Sequence, residues 1–544
     1  MKRNFIRIAI LAMLLPAVSF GLVDMRNANY SDTWIDLEIP GGGFDFKVER
    51  TYNSRSLFNG IFGFGWCSDF ETSLEIEADG SLKLTECGAG FEVIYTSENY
   101  SKKNVDAAVT NIVAKYKEKN PTTTSRFLND LETQLKGDRR LRDKYSSELG
   151  IKGSVDKNEI FYANGRGPET VERRESNYIR RLPGGNTQTF NQRGRLTEIE
   201  DKNGNYLRFS YNGDLIRDVV DNNGRKLNFT YYGNKKIKTI TGPNDLRVEY
   251  KFEKLNELSW VRNGWKNEYS FEYDDLKNLV KINYPDKTNK IITYDKNKDW
   301  VTSYKERDNC KEEYKYELSK DDPKNHYWST VTKTCDKRVV NNSRYEFWYR
   351  LNKAKTDKYL HRVLTKLNND TTDVTYHERF GRPILIVRNG AKAEYIYDED
   401  SGLLRKRKEA NRVVDFEYDS ACKKVSKVTE GKQQTTFKYD KRCNLTVARN
   451  TKGQMVTLTY DYQGRIATLF DQAKREVKIK YESRFGKPET VERPGVGTIK
   501  VTYKPNGDIN KVESPAGPTV AVQVASTFNN LLDIVEPAGV ELGF

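Results

Sequence analysis

Histidine is almost absent from this 544-residue chain, which carries only His326, His361 and His377. So few imidazoles leave little material for general-base catalysis or a histidine-rich metal centre. The motifs of common chemistries are missing too. There is no Gly-x-Ser-x-Gly nucleophile turn, no Gly-rich phosphate loop closed by Lys, and no His-Glu-x-x-His pair. No Cys-x-x-Cys pair exists to start a zinc site. Beyond the first 20 residues no stretch is apolar enough to read as a transmembrane helix. Dense basic tracts are also lacking. The formal net charge is +15, but acidic residues are mixed throughout, and Arg405-Lys406-Arg407-Lys408 is the densest basic cluster. Without a helix-turn-helix, RNA-recognition or zinc-finger signature, this charge reads as a solvated outer face rather than a nucleic-acid site. Attraction to an anionic envelope or a polyanionic glycan stays open. These absences predict no catalytic, cofactor-binding or metal-binding residue.

What the chain has in abundance is rhythm. An aromatic returns at a step of about 21 residues, at Tyr376, Tyr397, Tyr418, Tyr439, Tyr460 and Tyr481. The same beat runs upstream through Phe190, Tyr211, Tyr231, Phe252, Tyr273, Tyr294 and Tyr316. Many of these tyrosines sit in one phrase, such as Phe416-Glu417-Tyr418-Asp419 and Phe437-Lys438-Tyr439-Asp440. Two rings two residues apart share one face of a strand. Turn residues follow, as in Asp461-Tyr462-Gln463-Gly464, and then a second apolar pair such as Ile466 and Leu469. Each unit therefore reads as two short antiparallel strands, and successive hairpins extend one sheet. One hairpin is marginal alone, but a long stack buries a continuous ring-lined face. So many copies of Tyr-Asp argue for structure: the Asp residues are expected to accept hydrogen bonds from turn amides.

The Tyr-Asp pairs, the Gly-Arg that follows them (Gly194-Arg195-Leu196, Gly464-Arg465-Ile466) and the Asp-x-Asn-Gly turns resemble the YD-repeat (Rhs) family over about residues 178 to 535. Arg50-Thr51-Tyr52-Asn53-Ser54 with Gly63-Phe64-Gly65-Trp66 is similar to the opening of that family's N-terminal domain. The resemblance implies a mostly β chain whose hairpin array winds as a spiralling sheet that forms a hollow shell. Toxin-carrying members end in a self-cleaving, aspartate-dependent core region followed by a toxin. That region is not recognisable here, and Ser514-Pro515-Ala516-Gly517 and Glu536-Pro537-Ala538-Gly539 read as ordinary turns.

In chain order, Lys2, Arg3 and Arg7 precede an apolar Ile8–Ala17 run and a small-residue Ala17-Val18-Ser19 site. Residues 1–19 thus read as a cleaved export signal rather than a membrane anchor. Residues 20–100 read as a small β domain capping the start of the array, residues 101–150 as a helical insertion, and residues 151–544 as the array. The helical stretch is expected to cover an open sheet end; a binding lid is the alternative. The rhythm breaks at about 317–375, where Tyr349 fits one beat and extra loop is expected around Asp321–Asn325 and Lys353–Lys358. The neighbouring His326, Tyr327 and Trp328 are candidate ligand contacts, an aromatic cluster suited to stacking on sugars or simply the core of an irregular repeat.

Six cysteines in an exported chain suggest disulfides. Cys67 and Cys87 are neighbours in the N-terminal stretch, and Cys310 and Cys335 flank the break. Cys422 and Cys443 hold the same repeat position. Alternate strands lie roughly 10 Å apart, so that pair forms only if the turns lean together. The function expected from all this is an exported, non-enzymatic scaffold, periplasmic, cell-surface or secreted, that binds envelope or cell-surface proteins or glycans. The alternative is a hollow shell enclosing a separately encoded toxin or effector polypeptide.

Overall fold

The computed structural model describes residues 22–86, 91–163, 166–253, 256–353, 358–473, 475–504 and 507–540. The segment expected to be an export signal, and Cys87, lie outside them. Thirty-six antiparallel strands, from Ser73–Ile76 to Ile509–Glu513, follow one another in chain order in a single open sheet. A representative hairpin pairs Met455–Tyr460 with Ile466–Asp471. Its register slips by one residue between Thr459 and Tyr460. The same slip recurs at Tyr211, Tyr231, Tyr273, Tyr294, Tyr397, Tyr418, Tyr439 and Tyr481. A β-bulge bends its strand and increases local twist. A bulge recurring at the repeat aromatic of most hairpins, though not at Tyr316, bends the sheet in one sense and winds it into a spiral.

The coils meet along their turns. Asn205 Nδ2 donates to Gln463 O at 3.0 Å, Asn444 Nδ2 to Asn203 Oδ1 at 3.0 Å, and Lys202 Nζ to Cys443 O at 3.1 Å. These contacts join hairpins roughly 22 strands apart, so one coil is roughly 100 Å around and 30 Å across. The tip of an N-terminal hairpin is wedged into the same seam, where Gly42 O accepts from Asn223 Nδ2 and Gln463 Nε2, both at 3.0 Å.

The N-terminal unit is a four-stranded sheet of Leu22–Asp24, Asn29–Ile39, Phe46–Asn53 and Trp66–Cys67. It packs across the tyrosine-bearing face of the spiral rather than capping its end. Trp34 meets Phe271 and Tyr284, Phe62 meets Tyr250, and Phe70 meets Phe209 and Phe229. One apolar core thus runs from Val23 to Val331. Ser73–Ile76, Leu82–Glu86 and Phe91–Ser97, within the stretch expected to be the N-terminal domain, pair as the first strands of the long sheet. Their period-two alternation suits either sheet equally, so it could not assign them.

Three helices, α1 Lys102–Lys119, α2 Ser125–Gly137 and α3 Arg139–Leu149, form the insertion. Val109, Ile112, Leu131 and Leu135 make their shared core, against which Ala78 of the first hairpin packs. A fourth helix, α4 Pro518–Val535, interrupts the stretch expected to be array throughout. Gly517-Pro518 opens it as an N-terminal signal, and Leu531, Ile534 and Val535 pack against Leu445, Val456 and Leu469 of the sheet. Part of the rhythm break lies outside the described residues, since 354–357, in the loop expected at Lys353–Lys358, are not among them. Its extra residues lengthen the strands His326–Cys335, Arg338–Leu351 and Lys358–Leu367 to 10, 14 and 10 residues. A turn does remain at Asp322–Asn325, where Asn325 N donates to Asp322 O at 3.2 Å, and Tyr349 carries a bulge as most beats do.

Candidate functional site: the inner wall

The repeat tyrosine does more than fill space. Its hydroxyl donates to a carbonyl at the start of the previous hairpin's second strand: Tyr211 to Leu196 O at 2.7 Å, Tyr231 to Ile216 O at 2.7 Å, Tyr273 to Leu258 O at 2.8 Å and Tyr294 to Leu279 O at 3.0 Å. Downstream, Tyr397, Tyr418, Tyr439, Tyr460 and Tyr481 bond Pro383, Leu404, Val425, Leu445 and Ile466 in the same way at 2.6–2.9 Å. Each hairpin is stapled to the one before it. Burial pushes the phenols of Tyr211 and Tyr481 up to about 12, so the donors keep their protons at neutral pH. Where Asp follows the tyrosine it caps the turn: Asp461 Oδ1 accepts from Gln463 N at 3.0 Å and Arg465 N at 2.9 Å, and Asp440 Oδ1 from Arg442 N at 2.8 Å and Asn444 N at 2.9 Å. Tyr439→Phe is therefore expected to lower stability by about 1 kcal/mol, the loss of one net hydrogen bond. Urea unfolding followed by circular dichroism would show this as a lower midpoint with unchanged strand signal.

The position two residues before each repeat tyrosine reports what covers this face. Phe209, Phe229, Tyr250, Phe271, Ile292, Tyr314 and Phe347 are buried, all but the last within the core shared with the N-terminal unit. Phe437 and Leu458 are buried too, in the core that holds α4. Between these covered stretches, Val374 and Tyr395 are only half-buried, while Phe416 is half-buried at the rim of the α4 core. Their cross-strand neighbours on the same face follow suit: Leu360, Val363 and Ile386 are half-buried. The result is an open apolar and aromatic wall from about residue 360 to 395 on the face that elsewhere holds the core.

His326, Tyr327 and Trp328 do not form one site. Strand alternation puts Tyr327 on the inner face, stacked on Tyr349 at 6.0 Å with its hydroxyl donating to Arg26 O at 2.6 Å. His326 and Trp328 point outward into a ladder of rings and charges. His326 stacks on Trp348 at 4.7 Å, Arg362 lies over Trp348 at 4.6 Å, and Arg344 lies over Trp328 at 4.4 Å. Glu346 accepts from His326 Nε2 at 2.7 Å, taking its donating tautomer, and Glu317 from Trp328 Nε1 at 2.7 Å. The other two histidines are engaged locally. His377 stacks on Phe380 at 4.4 Å, and burial, with Arg350 and Arg362 nearby, draws His361 below its usual value.

Cys422 and Cys443 are joined, as are Cys310 and Cys335, with Cα atoms 5.4 and 4.3 Å apart. The turns do lean together: Lys423 and Cys443 adopt left-handed φ values of 55° and 60°. Cys67 is buried beneath the spiral. Among the described residues no group of three or more His, Cys, Asp or Glu is placed to hold a metal, and no helix is long and apolar enough to cross a membrane.

A family model described as the teneurin YD-shell matches residues 184–344 and 406–542, more than half of the chain. The chain belongs to the teneurin YD-shell family. The gap between the two matched stretches, residues 345–405, holds the open wall. A second model, a domain of unknown function (DUF6531), matches residues 21–92 of this YD-shell protein. No curated protein sequence matches it. Among solved structures it is similar to TcdB2-TccC3-TEV, at 10% identity and a TM-score of 0.38, over 94% of this chain and 31% of that one. It is also similar to the Photorhabdus luminescens Tc holotoxin pore, at 10% identity and a TM-score of 0.36, over 89% of this chain and 28% of that one. The YD-shell chain thus spans about a third of the solved chains it matches. Its fold assignment rests on the family match and on its own strand order.

Proposed function

We propose that this YD-shell is an exported, non-enzymatic scaffold that holds a polypeptide guest against the open inner wall. The observation that carries this reading is the exposure pattern of a single repeat position, buried from Phe209 to Phe347 and again at Phe437 and Leu458 but opened between them at Val374 and Tyr395. Half-exposed aromatic and aliphatic side chains on a concave sheet gain from burying another apolar surface. A polypeptide suits a surface several strands wide better than a small ligand does. The two disulfides support an oxidising compartment and hence export. Sugar binding by the outer ring ladder is less well supported, because neighbouring side chains already lie on the faces of Trp328 and Trp348.

The test exploits strand alternation. Tyr395 faces the wall, whereas the adjacent Ile396 faces outward and is exposed. A photo-crosslinking amino acid would be placed at one or the other position in the full chain, in its native source. Mass spectrometry of purified adducts is expected to find a recurrent, protease-resistant polypeptide at position 395 and none at 396. Equal labelling at both positions, or no polypeptide at 395, would overturn the reading.

A further inference from the structure

The two ends of the long sheet are finished differently. The first strand is sealed by its own chain: Leu74 N donates to Gly194 O at 2.8 Å and Ser73 bridges Arg195. Gly194 makes that approach possible, since a Cβ there would lie 1.6 Å from Leu74 O. The last strand, Ile509–Glu513, pairs on one side with Gly497–Tyr503, and all five of its residues are exposed. Ile509 and Val512 are 56% and 57% exposed on the inner face. A flat strand with an open backbone edge and exposed apolar side chains is a template for another strand.

We propose that a second copy of this chain supplies that strand, giving an antiparallel, two-fold dimer centred on Val512. Among the described residues only this edge is open, so head-to-tail growth has no acceptor at the sealed end, and the contact must be isologous and closes at two copies. The register follows from the sequence. Centring on Val512 sets Val512 opposite Val512 on the inner face and Lys511 opposite Glu513 twice on the outer face. Asn510 then faces Ser514. Centring one residue earlier would set Lys511 against Lys511, and like charges directly opposite oppose pairing. Lys511 and Glu513 already pair within one copy at 2.5 Å on the outer face, so both are placed to exchange partners across the axis. The seam extends one sheet through two spirals.

Charge reversal tests the register with surface substitutions that leave the core untouched. The full-length chain is expected to sediment as a dimer. Lys511→Glu sets Glu against Glu twice, and Glu513→Lys sets Lys against Lys twice. Each variant alone is expected to dissociate about tenfold more readily. Mixed in equal amounts, the two variants become complementary and should recover the wild-type association. Circular dichroism and thermal unfolding of each variant confirm the fold. A wild-type chain that sediments as a monomer, or a mixture no tighter than the separate variants, would overturn the proposal.

Discussion

Arg50→Ala is expected to be among the most damaging single substitutions, lowering stability by about 3–5 kcal/mol, the scale for removing one partner of a buried ion pair. Arg50 is fully buried, and its Nε donates to Asp36 Oδ2 at 2.7 Å. Its guanidinium lies 4.3 Å from the Trp66 ring centroid, 5.0 Å from Phe271 and 5.4 Å from Trp34. Arg50 Nη1 and Nη2 are enclosed with no hydrogen-bond partner, so those aromatic faces are their remaining electrostatic contact. Asp36 in turn accepts from Tyr250 Oη, on the spiral, at 2.9 Å. This one cluster therefore ties the N-terminal sheet to the long sheet. Truncating Arg50 leaves the Asp36 carboxylate buried with a single phenol donor and opens a void among three rings. Arg50→Lys is expected to fail as well, because an ammonium cannot reach Asp36 and spread a planar face over the rings together. Arg50→Met paired with Asp36→Leu, which removes both charges, is the informative comparison and should recover much of the loss. Thermal unfolding measures all three; an Arg50→Ala protein as stable as wild type would show that the cluster does not join the two sheets.

Much of this architecture was legible from the aromatic beat alone. The spacing of Tyr397, Tyr418, Tyr439 and Tyr460 fixes hairpin length, and the Asp after each tyrosine identifies its turn. The shared repeat position of Cys422 and Cys443 also pointed to their pairing, although the closeness of their turns was visible only in three dimensions. Other features needed three dimensions. Reading the two Pro-Ala-Gly stretches as ordinary turns of the array hid α4 between them, whose Val520, Leu531 and Ile534 follow helical spacing. At the rhythm break the lengthened strands were not legible, because missing beats look the same whether residues enter a turn or lengthen a strand.

The candidate site was less legible, for a related reason. Tyr395 stands in the same phrase as its buried equivalents Phe271 and Phe437, and local sequence cannot say which copies are covered. Coverage depends on where the N-terminal sheet ends at one side and α4 begins at the other, and both are set by contacts across hundreds of residues. By contrast, the separation of Tyr327 from His326 and Trp328 follows from strand alternation, and period two was the signal available. Grouping the three by adjacency overlooked it.

The pH dependence of stability is expected to centre on Glu71, at the junction of the N-terminal unit and the spiral. Its Oε1 accepts from Ile61 N at 2.5 Å, while its Oε2 is enclosed without a partner, although part of the side chain reaches the surface. Burial pushes this carboxyl up to about 8, against the opposing pull of the Ile61 and Ser68 amides and of Lys236. Lys236 gives only long-range help, because its Nζ is committed to Gly60 O at 2.6 Å and Asn59 Oδ1 at 2.7 Å. A carboxyl raised in the folded state favours folding while it stays protonated. Its contribution is therefore full below the unfolded value near 4.5 and is lost progressively as pH rises to about 8, levelling off beyond. Linkage over that interval bounds the loss at roughly 4–5 kcal/mol. Thermal unfolding between pH 5 and pH 9 should show the midpoint falling across this window for the wild-type chain. Glu71→Gln keeps an acceptor for the Ile61 amide and cannot ionise, so it should flatten most of the fall and unfold at a higher temperature than wild type at pH 9. An undiminished slope in the Gln variant would place the titrating group elsewhere; Glu77, raised to about 7 by burial and by Asp143, would then be the carboxyl to replace.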